Sequence, residues 1–473
     1  MKYILSLLTL SLAIIGSKFN TANNPEINRP AYLKIDSNDT VMKSVLLQEF
    51  NNDFLSPSVI RAKDGTNDLN FKVNLAEPKF FRFYSFKPSS VPLLIYVEPG
   101  DSVTYKLGQD KSMVFEGKNA NQYNFFSTLK NVALYYPNYN DVNEIWKYKK
   151  EVDNIYKKKL SALSDYVKAK KVSDLFVKKT KEVFKYEYLN RLLTPEISIQ
   201  ELINNPKYLD GIDYKLFNRN NQENNNYFYL ALNRYLHYIS ALNNVSEEYS
   251  NQELTYRLNF IDTHLTGDTK QFAITKTYID HDEHLRFGNI EFLKRSVIKS
   301  LSQIIKKEYR EQLELLEQKL ERFSSELPVE VLNSKLIDID GNTVTFQEIL
   351  NRSGNNIKTI DFWASWCSPC ISEIKDSHEL RNKLKIEKKV IFLYFSVDSD
   401  REKWKSKVAD LKKFGMDRNQ YFIDGGTYSI IGKYFSLMSI PKYVVLNATN
   451  KTYSKSVPSP GSAEFEVVIN QVK

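Results

Sequence analysis

The chain is 473 residues long, with 66 Lys and Arg against 57 Asp and Glu (net +9), 42% apolar and 26% charged. At roughly 100–200 residues per domain this describes two to four domains, and the composition excludes both a disordered chain and a polytopic membrane protein. Two cysteines exclude a disulfide-stapled scaffold, and so small a positive surplus over this length describes solvated faces rather than a nucleic-acid surface.

In chain order, Lys2, the apolar run 3–15 and Gly16-Ser17 have the form of an export signal, taken as residues 1–17. The run is shorter than the roughly 20 residues that span a bilayer. An uncleaved N-terminal anchor is the alternative, and either outcome places the chain in the periplasm or cell envelope. Residues 25–118 alternate in strand fashion, as in Phe71-Lys72-Val73-Asn74-Leu75. Turn signals at Pro88-Ser89-Ser90 and Glu98-Pro99-Gly100-Asp101-Ser102 complete the pattern of a small N-terminal antiparallel β domain. Residues 119–327 change to apolar steps of three and four, as in Ile145, Tyr148, Val152, Ile155 and Leu163. That period predicts an all-α middle region, with the interleaved lysines of 147–159 and 168–185 on its solvated face. From Pro328, strands and helices alternate: a hairpin about Asp340-Gly341-Asn342, a buried strand at 359–363, one helix at 370–384 and a strand at 390–397. Residues 328–473 therefore read as an α/β sheet covered on both faces.

Trp366-Cys367-Ser368-Pro369-Cys370 puts a Cys-x-x-Cys pair between the buried strand and the start of the helix. The unpaired N–H groups and partial positive charge of a helix N-terminus stabilise a thiolate at Cys367. A thiolate populated near the ambient pH is an effective attacker of disulfides. Cys370, one turn on, is placed to attack the resulting mixed disulfide, and Pro369 in the first turn costs no helical hydrogen bond. Two blander alternatives stand beside this reading. One is half of a zinc site completed by a histidine such as His378. The other is a structural disulfide, whose short loop removes little unfolded-chain entropy.

Over its last third the chain resembles the thioredoxin superfamily, specifically the exported TlpA/ResA-like thiol-disulfide oxidoreductases. The likeness is carried by Phe362-Trp363-Ala364-Ser365-Trp366-Cys367-Ser368-Pro369-Cys370, by Asp340-Gly341-Asn342 with the following 343–350, and by Ser439-Ile440-Pro441. It implies a thioredoxin-like fold and a redox disulfide between Cys367 and Cys370. It also implies a cis-proline at Pro441, with Ile440, Trp366 and Pro369 along a substrate groove. Asp361 is then the buried acid behind the cysteines and Glu373 the acid one turn after Cys370, and either carboxylate could take the Cys370 proton. Disulfide-containing protein substrates, reduction as the useful direction and a membrane-borne thiol-disulfide electron donor are further implications. Lys375 and Lys442 stand where family members often carry Pro and Thr, and Ser368-Pro369 differs from thioredoxin's Gly-Pro.

Residues 25–327 resemble the β plus helical extensions of exported thioredoxin-like proteins from some Gram-negative bacteria, through residues 98–102 and Phe115-Glu116-Gly117-Lys118-Asn119-Ala120. No phosphate-binding Gly-rich loop occurs, and His281-Asp282-Glu283-His284 lacks the metalloprotease spacing and reads as a polar helix end. No cofactor, metal or nucleic acid is expected. The competing reading makes residues 25–327 a binding or assembly module, with the C-terminal domain as its docking or regulatory unit.

Overall fold

The computed structural model describes residues 29–35, 45–51, 59–61, 69–85, 92–107, 113–131, 134–218, 225–243, 249–283, 289–324 and 326–472. The export signal, the Pro88-Ser89-Ser90 turn and His284 lie outside the described residues. The chain forms two compact units, the first running to Asn131 without Phe50–Pro57 and including Ala169–Phe176, the second built on Phe50–Pro57, Val132–Lys168 and Val177–Lys473.

The first unit contains β1 (Arg29–Ile35), β2 (Val45–Glu49), β3 (Val59–Arg61), β4 (Leu69–Leu75), β5 (Lys79–Ser85), β6 (Leu93–Val97), β7 (Ser102–Leu107) and β8 (Met113–Lys118). They form two four-stranded sheets, ordered β4-β1-β7-β8 and β3-β2-β5-β6. The period-2 pattern sends Leu33, Ile35, Phe71 and Val103 from one sheet and Leu47, Phe83 and Ile95 from the other into a common core. One pair departs from the expected antiparallel pattern: β1 and β7 are parallel. Parallel neighbours need a long connection, and five strands intervene between these two. The two segments singled out in the sequence meet here. Buried Asp101 accepts from the Glu98 N–H at 2.8 Å, the Asn119 amide at 2.7 Å and the Tyr123 hydroxyl at 2.9 Å. Gly117, at φ +117°, passes so close to β7 that a Cβ would lie 2.4 Å from the Ser102 carbonyl oxygen. The helix Ala120–Asn131, which follows directly, belongs to this unit.

The second unit begins with the helical region, whose longer helices are Ile145–Ala169, Asp174–Leu192, Asn226–Leu242, Asn251–His264, Gly267–Glu283, Ile290–Leu301 and Lys307–Ser324. The stripe of Ile145, Tyr148, Val152 and Leu163 is buried, as its spacing requires. Lys159 is not on the solvated face assigned to it. It is buried against Glu187 at 2.8 Å and lies 4.6 Å from the Tyr136 ring centre, because its turn of the helix faces the neighbouring helix rather than water.

The C-terminal sheet comprises β9 (Lys335–Asp338), β10 (Thr343–Thr345), β11 (Lys358–Trp363), β12 (Ile391–Ser396), β13 (Gln420–Ile423), β14 (Lys442–Leu446) and β15 (Thr452–Ser454). Its order is β10-β9-β13-β12-β11-β14-β15, with β11, β12 and β13 mutually parallel and the outer pairs antiparallel. Every residue of central β11 is buried, so both sheet faces are covered. Ile360, Phe362, Leu393, Phe395 and Val444 share one core with Leu236, Leu293, Leu313 and Phe323 of the helical region. Trp363, Tyr394, Tyr443, Trp404 and Phe465 form a second core around Cys367 and Cys370. The helix expected at 370–384 is two, Ser368–Asp376 and His378–Glu387. The break has a cause: the Arg381 guanidinium takes the Ile374 carbonyl, which an uninterrupted helix would have given to the N–H four residues on.

Candidate active site

Strand β11 ends at Trp363, the chain turns through Ala364 and Ser365, and the next helix opens at Ser368. Cys367 is its N-cap, and Cys367 and Cys370 are joined by a disulfide. The Cys370 N–H points at Cys367 Sγ at 3.2 Å, so a sulfur fills the place usually taken by a serine or aspartate oxygen. Pro369 occupies the first turn at no hydrogen-bond cost. The two cysteines are 5% and 1% exposed, whereas the adjoining Trp366 is 66% exposed. The turn is pinned by Asp398, which accepts from the Ser365 N–H at 2.8 Å, the Ser365 hydroxyl at 2.6 Å and the Ser396 hydroxyl at 2.7 Å.

Asp361 lies two residues before Trp363 on β11, and strand alternation turns it to the cysteine-bearing face. It is 2% exposed, and burial pushes its carboxyl up to about 7, with the Arg381 guanidinium opposing and the Glu373 carboxylate adding to the rise. Glu373 is half-buried and accepts a hydrogen bond from the Tyr443 hydroxyl. Burial, the Asp361 charge and that bond hold the Tyr443 phenol far above its usual value. Arg381, itself buried, donates to the Tyr394 hydroxyl and to the carbonyls of Ile374 and Phe414.

The Ile440–Pro441 peptide bond is cis. Ile440 packs against the cysteine core, and Pro441, Lys442, Tyr443, Glu373, Ser436 and Ser459 line a cavity of about 680 Å³. Trp366 and Pro369 are exposed and are not among its walls. Burial, with Lys455 and Lys319 nearby, lowers the Lys442 ammonium to about 8, and its Nζ donates to the Ser436 carbonyl at 3.0 Å. Sequence reasoning missed Asp398, Arg381, Tyr394 and Tyr443. Only the alternation of β12 and β14, strands already visible in the sequence, could have pointed to the two tyrosines.

Residues 355–452 match the family model described as Thioredoxin-like. The C-terminal part of this chain is accordingly a thioredoxin-like domain, carried behind β sheets and a helical region. A solved thiol-disulfide oxidoreductase from Bacteroides fragilis is 25% identical over 25% of this chain and 84% of its own, with a TM-score of 0.22. The thioredoxin domain of a thiol-disulfide oxidoreductase from Bacteroides vulgatus is 20% identical over 31% of this chain and 93% of its own, with a TM-score of 0.25. A thioredoxin-like protein from Bacteroides caccae reaches 60% of this chain and 94% of its own at 14% identity, with a TM-score of 0.36. No curated protein matches the chain.

Proposed function

We propose that this chain is an exported thiol-disulfide oxidoreductase that reduces disulfide-bearing proteins through Cys367 and Cys370. The observation that carries the reading is the position of Cys367 at a helix N-cap within a thioredoxin-like domain, where the thiolate is the favoured form. In the reduced enzyme Cys367 Sγ attacks a partner disulfide, and one partner sulfur leaves as thiolate. Cys370 then attacks Cys367 Sγ, the bond to the second partner sulfur breaks, and two electrons have passed from the enzyme dithiol to the partner. A membrane-borne dithiol donor returns them. Exposed Trp366 and Pro369 offer the partner an apolar surface beside the cysteines, and Ile440 and Pro441 offer it backbone. The export signal at residues 1–17 supplies the envelope location; among the described residues no helix is long and apolar enough to cross a membrane.

The Cys370→Ser variant should accumulate mixed disulfides with its partners, and a Cys367→Ser variant should capture none. A potential near about −120 mV, the poise of a dedicated disulfide donor, would contradict the reductive direction. The second reading, a binding module in residues 25–327, draws on a cavity of about 550 Å³ in the helical region, walled by Leu193, Ile197, Leu202, Arg234 and Tyr238. Under that reading partner binding survives Cys367→Ser intact.

A further inference from the structure

Arg234, Tyr238 and Ala241 follow one another at steps of four and three on the helix Asn226–Leu242, so they share one face. That face and the segment 193–202 wall the cavity of about 550 Å³ in the helical region, a volume within the range of small-molecule sites. The segment contributes apolar groups, among them Leu193, Pro195, Ile197 and Leu202. The two charged residues in the wall, Arg234 and Glu253, differ in how they are held. Glu253 is engaged: it accepts from Arg257 and from the Tyr249 N–H, and it lies 2.8 Å from His281 Nε2. Arg234 is half-buried and donates to the Asn190 carbonyl at 2.6 Å; among the described residues it makes no other hydrogen bond and no ion pair. Burial and the neighbouring Arg191 charge lower its guanidinium below the usual value, and Glu196 offsets this only in part. The Glu196 carboxylate itself accepts the Thr194 hydroxyl, and Arg191 Nε is buried without a hydrogen-bond partner. A desolvated guanidinium with open N–H groups in an apolar wall lacks an acceptor, and a carboxylate fits its planar fork with two bonds at once.

We propose that this cavity binds a small amphipathic carboxylate, whose headgroup pairs with Arg234 and whose apolar tail lies against Leu193, Ile197, Leu202 and Tyr238. Charge selects the headgroup. A single negative charge suits the one guanidinium in the wall, whereas a doubly charged phosphate monoester would also meet the carboxylates of Glu253 and Glu196. Length limits the tail: from Arg234 to Ala241 the helix axis advances about 10 Å. The inference goes beyond the oxidoreductase reading and does not rest on it, since every residue of this site lies outside the thioredoxin-like domain.

The test is calorimetric titration of octanoate into the full oxidised chain at pH 8, where saturable binding at one site is expected. Octanol has the same tail without the charge, and acetate the charge without the tail. Each should bind at least about tenfold more weakly, because a charged hydrogen bond and apolar burial each carry that much affinity. Octyl phosphate, mostly a dianion at this pH, should also bind more weakly than octanoate. Arg234→Met should weaken octanoate at least about tenfold and leave octanol unchanged. Ala241→Phe fills the cavity from the helix face without altering its charge. It should weaken octanoate to a similar degree, and it locates the site if Arg234→Met fails to fold. The inference is overturned if the folded wild-type chain shows no saturable octanoate binding, or if octanol or octyl phosphate binds as tightly. Unchanged octanoate affinity in either folded variant overturns it as well. Disulfide exchange by the same samples reports separately on Cys367 and Cys370 and should not change in Arg234→Met.

Discussion

Two buried carboxylates in the same compact unit have opposite fates. In the helical region, Glu253 accepts from Arg257, lies 2.8 Å from His281 Nε2, and accepts the Tyr249 N–H at 3.1 Å. Burial alone would raise its carboxyl, but the His281 bond and the charges of Arg257, His281 and His237 reverse the effect and bring it to about 2. In the thioredoxin-like domain, Asp361 is equally buried, has an oxygen without a partner, and is pushed up to about 7. Pairing makes a buried acid a permanent charge. Leaving one oxygen of a buried acid without a partner instead lets burial push its carboxyl up toward neutrality.

The largest effect that would break this comparison is expected at Glu253. Its replacement by Gln leaves Arg257, which is wholly buried, without its counter-charge and should cost about 3–5 kcal/mol in urea unfolding. A loss under about 1 kcal/mol would show the pair to be incidental. Asp361→Asn should act with the other sign. The folded state binds the Asp361 proton more tightly than the unfolded chain, so charging it costs stability progressively from about pH 4 to about pH 7 and by a constant amount above. The variant should therefore gain on the order of 3 kcal/mol at pH 8 and almost nothing at pH 4, while its mixed disulfides collapse more slowly. For Glu253 the window is reversed: its stabilisation is in place above about pH 4.5 and is lost as the pH falls toward about 2, so Glu253→Gln should flatten the acid limb of the wild-type stability curve. The smallest effect is a control without buried charge. Thr345 and Glu348 form a capping box at the helix Phe346–Arg352, and Thr345→Ala should cost about 1 kcal/mol with no pH dependence near neutrality.

Most of the order of elements from Pro328 onward was legible because the central strands are short apolar runs and the helices at Phe346, Arg401, Ile430 and Ala463 begin after a Thr, Asp or Ser that caps them, whereas the short edge strand Thr452–Ser454 carries no such signal. Cys367 and Cys370 stood out for the same local reason, a buried strand running directly into a helix start. What could not be read locally lies far apart in sequence. Asp282, expected at a polar helix end, is buried between Lys319 and Lys455, 37 and 173 residues away. Lys159 looked like one of many solvated lysines until a glutamate 28 residues on met it. The break at Ser377 depends on a guanidinium four residues later turning back to a carbonyl, and the parallel β1–β7 pair depends on five intervening strands. The surroundings of Asp361 and Glu373 were hidden for a related reason: the register of β11 sets Tyr394 and Tyr443 on either side of Asp361, and Glu373 meets Tyr443 from 70 residues away.

The most direct test of the central claim is the rate of alkylation of Cys367 in the reduced full-length chain as a function of pH, with Cys370→Ser to isolate one sulfur. A midpoint well below about 8.5, the value of a free thiol, is predicted from the helix end at which Cys367 sits. A sulfur that stays protonated and unreactive up to that pH or beyond would contradict it.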